Sequence, residues 1–92
     1  LNYNNTDEKY IKGIKVYPNP ASGQVHIDIG NNEIGPVKLK LYNVSGHLLY
    51  EKTLSNRIES LDLGHLNIKG LVFCELYSLK HIKVHEHIFV MK

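Results

Sequence analysis

From residue 14 onward, apolar side chains recur at every second position in short runs, each closed by turn-forming residues. A period of two places successive apolar groups on one face of an extended chain and cannot serve a helix, so the runs are half-buried strands. Residues 24–30 show the pattern well, with Val25, Ile27 and Ile29 on one side and His26 and Asp28 on the other. In 37–42, Val37, Leu39 and Leu41 alternate with Lys38, Lys40 and Tyr42; after Asn43-Val44-Ser45-Gly46 the run 47–53 returns, which predicts a hairpin. Further strands are expected over 14–17, 57–63, 70–78 and 84–91, the run 57–63 being the weakest. Residues 70–78 are nearly continuous in apolar side chains, as for a central strand covered on both faces by the core or by neighbours. No stretch offers a helix: the nearest candidate, 60–69, holds Gly64 in its middle and is too short to stand unpacked. Seven strands in about eighty residues match an all-β, immunoglobulin-like sandwich of two antiparallel sheets.

The segment Tyr17-Pro18-Asn19-Pro20-Ala21-Ser22-Gly23 fixes where the first strand ends. Pro18 and Pro20 have no N–H, and Tyr17 and Asn19, each preceding a proline, are pushed toward extended conformations. A strand meeting two such residues must stop there or run along an edge. With Asn19 at i, Pro20 at i+1 and Gly23 beyond, the order predicts a type I turn leaving through a left-handed glycine.

Ninety-two residues with 42% apolar and 22% charged side chains make one ordinary globular domain. No apolar run approaches the roughly 20 residues that span a bilayer as a helix. The formal charge of +2, from 11 basic and 9 acidic residues spread along the chain, gives no concentrated positive field, so no nucleic-acid partner is expected. Cys74 is the single cysteine, which excludes an intrachain disulfide. Residues 1–12 are rich in Asn, Thr, Asp, Glu and Lys and read as a solvated linker, leaving 13–92 as the folded domain. The chain starts at Leu1 with neither a basic n-region nor an apolar h-region, and so reads as a piece of a longer protein.

Five features fall in the order of one known family. They are Tyr17-Pro18-Asn19-Pro20 with Gly23, the strand 25–29, Leu41-Tyr42-Asn43-Val44-Ser45-Gly46, Leu66 followed by Lys69-Gly70-Leu71, and a closing apolar strand that ends in lysine. Over residues 14–92 the chain resembles the C-terminal sorting domain of the bacterial type IX secretion system, the type A Por secretion sorting domain. It departs from the family's pattern at Val72, where tyrosine is usual, at Cys74 and Glu75, and in the more polar His85-Glu86-His87. The resemblance implies a non-catalytic signal that directs a larger protein across the periplasm and outer membrane of a Gram-negative bacterium, to the cell surface or beyond. Its partners would be the type IX translocon, the outer-membrane sorting and attachment machinery, and an N-terminal cargo in the same chain. The motif and recognition residues would be Tyr17, Pro18, Asn19, Pro20, Gly23, Gly46 and Gly70, with the closing run Ile88, Phe89, Val90, Met91 and Lys92. A terminal strand also suits strand addition to a partner sheet, and sheet edges offer a route to a homodimer.

The residues that carry chemistry argue weakly for it. His85 and His87 share one face of a strand, with His81 nearby, but two imidazoles do not fill the four positions zinc requires; exposed strand histidines are the expectation. Ser45 beside His47 lacks an orienting acid, and Asp28, Asp62, Glu75 and Glu86 lie on different strands with no pairing, facing water. Tyr10, Tyr17, Tyr42, Tyr50 and Tyr77 could make a sugar platform, yet sandwich strands use tyrosine for packing routinely. No catalytic residue, metal or cofactor is therefore expected. The alternative reading is a surface binding or spacer module of the same fold, holding carbohydrate or metal.

Overall fold

The computed structural model describes residues 13–18, 23–30 and 36–92, and seven strands account for most of them. They are β1 (Lys15–Tyr17), β2 (Gln24–Asp28), β3 (Val37–Tyr42), β4 (Leu48–Leu54), β5 (Ile58–Asp62), β6 (Gly70–Tyr77) and β7 (Lys83–Met91). Two antiparallel sheets form, one of three strands in the order β1-β2-β5 and one of four in the order β4-β3-β6-β7. The all-β sandwich expected from the two-residue period is the fold. The linker read over 1–12 and the turn at Asn19 and Pro20 lie outside the described residues.

Each sheet turns its apolar positions inward. Val25, Ile27 and Leu61 from one sheet and Val37, Leu39, Leu41, Val72, Cys74, Leu76 and Phe89 from the other are almost fully buried, and no polar or charged side chain is buried among the described residues. β1 ends at Tyr17, as the prolines require, and it is an edge strand whose only partner among the described residues is β2. The Tyr17–Pro18 peptide is cis. Arg57 and Ile29 join the ends of β5 and β2 through a 2.9 Å backbone hydrogen bond. Between β4 and β5 the chain changes sheet, and the Glu59 carboxylate accepts from the backbone N–H groups of Ser55 (3.1 Å) and Asn56 (3.2 Å) at that corner.

The hairpin of β3 and β4 closes as its sequence predicts. Gly46 N–H donates to the Asn43 carbonyl (2.9 Å), and the Asn43 side chain accepts from the N–H groups of Ser45 (2.9 Å) and His47 (3.0 Å). The weak candidate over 60–69 resolves into β5, a single 3-10 turn at Gly64–Leu66, and an approach to β6. Leu63 N–H donates to the Gly23 carbonyl (2.7 Å), so the glycine that ends the proline segment is tied to the start of that turn.

β6 is central, as expected, with β3 on one side and β7 on the other; the core covers one face, and neighbouring strands flank the apolar residues of the other. Val72, Cys74 and Leu76 face the core, whereas Leu71 is 47% exposed and Phe73, Glu75 and Tyr77 are partly open on the outward side. Its continuous apolar run arises because Leu71 and Phe73 meet apolar cross-strand neighbours, not because a third layer lies over them.

Two outcomes test this packing. Phe89→Ala, at a position 1% exposed, is expected to cost about 3–5 kcal/mol in urea unfolding, while Ile88→Ala beside it, 52% exposed, leaves the midpoint nearly unchanged. Gly23 has φ +114°, a conformation closed to side-chain-bearing residues, and an added Cβ would find nothing nearer than the Gly64 Cα at 4.0 Å. Gly23→Ala therefore loses about 1–3 kcal/mol through backbone strain alone, measurable in the same assay.

Candidate recognition face

The structure gathers part of the expected motif at one end of the four-stranded sheet. Gly70 pairs with Met91 and Leu71 with Val90, while Phe73 pairs with both Tyr42 and Ile88. Gly46 sits in the turn that follows β3 at this same end, and Lys92 follows β7 there. Tyr17 ends β1 in the three-stranded sheet instead, Pro18 follows it, and Gly23 precedes β2. Within the closing run the alternation splits the residues: Phe89 and Met91 are buried in the core, and Ile88 and Val90 stand on the outward face. Deleting 88–91 would thus remove core as well as surface, and loss of export after that deletion would not separate recognition from unfolding.

The outward face of this sheet divides into two halves along the strands. One half is charged. Glu51, Lys40, Glu75 and Glu86 lie side by side on β4, β3, β6 and β7, with Lys38, Tyr77 and Lys83 in the next rank. Lys38 Nζ meets Glu51 at 2.7 Å, and Lys83 Nζ bridges Glu75 (3.1 Å) and Glu86 (3.5 Å). Lys40 Nζ lies 5.1 Å from the centre of the Tyr77 ring. The Tyr77 hydroxyl donates to Glu75 at 2.5 Å, and this bond, with burial, pushes the phenol up to about 12. Burial alone would raise Glu75, but the hydrogen bonds from Tyr77 and Lys83 outweigh it and hold the carboxyl below its ordinary value. Glu75 and Glu86, read from the sequence as unpaired, are thus direct cross-strand neighbours bridged by Lys83.

The other half is apolar. Leu48, Tyr42, Phe73 and Ile88 form one row across all four strands, and Leu71 with Val90 forms the next. Leu48 is 50% and Val90 38% exposed. An open depression along this boundary is lined by Tyr42, Asn43, Phe73, Glu75, Glu86 and Ile88. Alternation alone would have assigned Tyr42 to a polar face and passed over it; the signal was an aromatic ring at an outward position of β3, matched by Phe73 directly opposite it on β6.

The histidines depart from expectation. Leu76 opposes His85 and Tyr77 opposes Lys83, so β7 carries a bulge at Val84. Because Cys74 and Leu76 are core residues and lie opposite His87 and His85, both imidazoles are on the inward side of β7 and half-buried, not on an exposed face. Their rings stack with centroids 6.0 Å apart, and His85 Nε2 is buried without a hydrogen-bond partner. Burial, with the neighbouring His87 charge, lowers the His85 pKa from 6.5. No group of three or more metal-ligating side chains converges among the described residues. Ser45 and His47 both serve the Asn43 turn; the serine that meets a histidine is Ser60, whose hydroxyl is 2.8 Å from His26 Nδ1. Asp28 is paired with Arg57 at 3.5 Å. Cys74 is buried, and burial pushes its thiol up to about 12, out of the reactive range. Tyr42 and Tyr77 share the outward face, while Tyr50 packs against the core and Tyr17 lies on the other sheet, so these four do not make one platform; Tyr10 lies outside the described residues.

A solved structure of PorZ, described as an essential bacterial surface component of the type IX secretion system of Porphyromonas gingivalis, has a segment of this fold: the TM-score is 0.71 at 20% identity, over 91% of this chain. The present chain corresponds to 12% of that protein's length, and the likeness defines a sandwich domain of the same architecture. No curated protein matches the chain in sequence. Residues 15–91 match the secretion system C-terminal sorting domain, and the chain belongs to that family, whose members are sorting signals for type IX secretion.

His85 sets a pH dependence. Between its depressed folded value and the ordinary 6.5, the unfolded chain holds a proton that the folded domain does not, so stability is complete above about pH 6.5 and declines as pH falls through that window. Melting temperatures between about pH 7.5 and 5.5 should fall with pH, and His85→Gln should flatten the slope. Glu51 and Glu75, both held below the ordinary 4.5, act only at lower pH.

Proposed function

We propose that the domain carries a larger protein, joined through residues 1–12, across the periplasm and outer membrane by the type IX system and delivers it to the cell surface or the medium. The work is recognition, not catalysis. The observation that supports this most is the agreement between the family match over 15–91 and a sandwich in which Gly46, Gly70, Ile88, Val90 and Lys92 meet at one end of one sheet. Tyr17 and Gly23 act as framework: β1 ends at Tyr17 as an edge strand, and Gly23 ties into the turn at Leu63. The partners are the translocon and the outer-membrane attachment machinery. A carbohydrate or metal module of the same fold has less support, since neither the tyrosines nor the histidines converge among the described residues.

Residues 1–92, fused behind a reporter with a conventional signal peptide, should bring that reporter to the surface of a bacterium that has the type IX system, and not in a strain lacking its translocon. A folded fusion retained in the periplasm of the competent strain overturns the proposal.

A further inference from the structure

Nine large apolar side chains stand exposed among the described residues, and five of them, Val44, Leu48, Leu71, Ile88 and Val90, lie at the apolar end of the four-stranded sheet's outward face or in the turn beside it. With Tyr42 and Phe73 between them they form continuous cross-strand rows, which is an interaction patch rather than scattered surface residues. Its electrostatic border has two different sides. The charged half of the face contains Lys38, Lys40 and Lys83 against Glu51, Glu75 and Glu86, three charges of each sign, with Lys38–Glu51 and Lys83–Glu75–Glu86 already paired. It neutralises itself and offers little to steer a partner. On the opposite side, Lys69 precedes β6 and Lys92 follows β7, next to Leu71 and Val90, and no ion pair engages either lysine among the described residues' salt bridges.

We infer that this apolar half-face is where a protein of the secretion machinery docks, and that the partner presents a flat apolar surface bordered by carboxylates that meet Lys69 and Lys92. The inference rests on the sorting function proposed above and specifies its contact surface. A pleated sheet face buries area best against another flat, shape-matched protein surface, and charge complementarity at the rim sets orientation and the rate of encounter. Recognition then uses the outward half of β7 and the strands beside it, while Phe89 and Met91 hold β7 in place from the other side.

The test uses the full-length fusion in the competent bacterium. Leu48→Ser with Leu71→Ser, both at exposed positions, should lower surface reporter by about tenfold, and Lys69→Glu with Lys92→Glu by a smaller factor, with the melting temperature of the purified 92-residue chain unchanged in each. A photo-cross-linking residue at position 48 or 71 should join the domain to an outer-membrane component of the system, identified by mass spectrometry, and one at Ser60 on the other sheet should not. If the unaltered fusion is exported and the Leu48→Ser/Leu71→Ser fusion is exported equally, the docking surface is wrong and the sorting function stands. Failure of the unaltered fusion overturns the sorting function itself. Cross-linking only to a second copy or to lipid overturns the assigned partner.

Discussion

The inward row on β3 and β6, formed by Leu39, Leu41, Val72, Cys74 and Leu76, is the constraint that places everything else. These side chains are buried to within 1% of complete, and two central strands cannot bury one face without a second layer. β2 and β5 supply that layer with Val25, Ile27 and Leu61. β7 extends the same surface through Phe89 and Met91, and its bulge at Val84 shifts the register by one residue and so turns two histidines inward. The proline segment and Gly23 matter because they end β1 and lead into β2 at the position this layer needs.

Burial on one side fixes what the other side can do. Because the inward residues hold each strand's register, the outward residues are held in register as well, without having to contribute to the core. That freedom is used unequally: half of the outward face closes on itself through lysine–glutamate pairs and a tyrosine hydroxyl, and half remains apolar and open. A signal read by another protein needs exposed surface held in a fixed register, and the apolar half supplies it. The same division explains why a closing run of four apolar residues is only half available for contact.

Much of this was legible in the residues. Strand boundaries for β3 follow the alternation of Val37 to Tyr42 directly, and the hairpin after it follows from Asn43 and Gly46, since short-range turn chemistry acts between neighbours in sequence. For β6 the apolar run placed a central strand but left open whether core or neighbours cover its outward residues, because composition along one strand does not reveal whether an outward leucine faces a layer or a neighbouring strand. His85 and His87 misled, as a one-residue bulge reverses which side of the sheet a pair of side chains takes.

The sequence by itself determined the all-β class, the positions of the turns and the order of motifs that marks the family, because these depend on periodicity and on local backbone limits at proline and glycine. Only the tertiary structure decided which strands became neighbours, and therefore that Leu48, Tyr42, Phe73 and Ile88 make one row although they are drawn from four separate runs. Pairing between distant strands is set by how both sheets together bury their inward faces, a cooperative property that no single run contains.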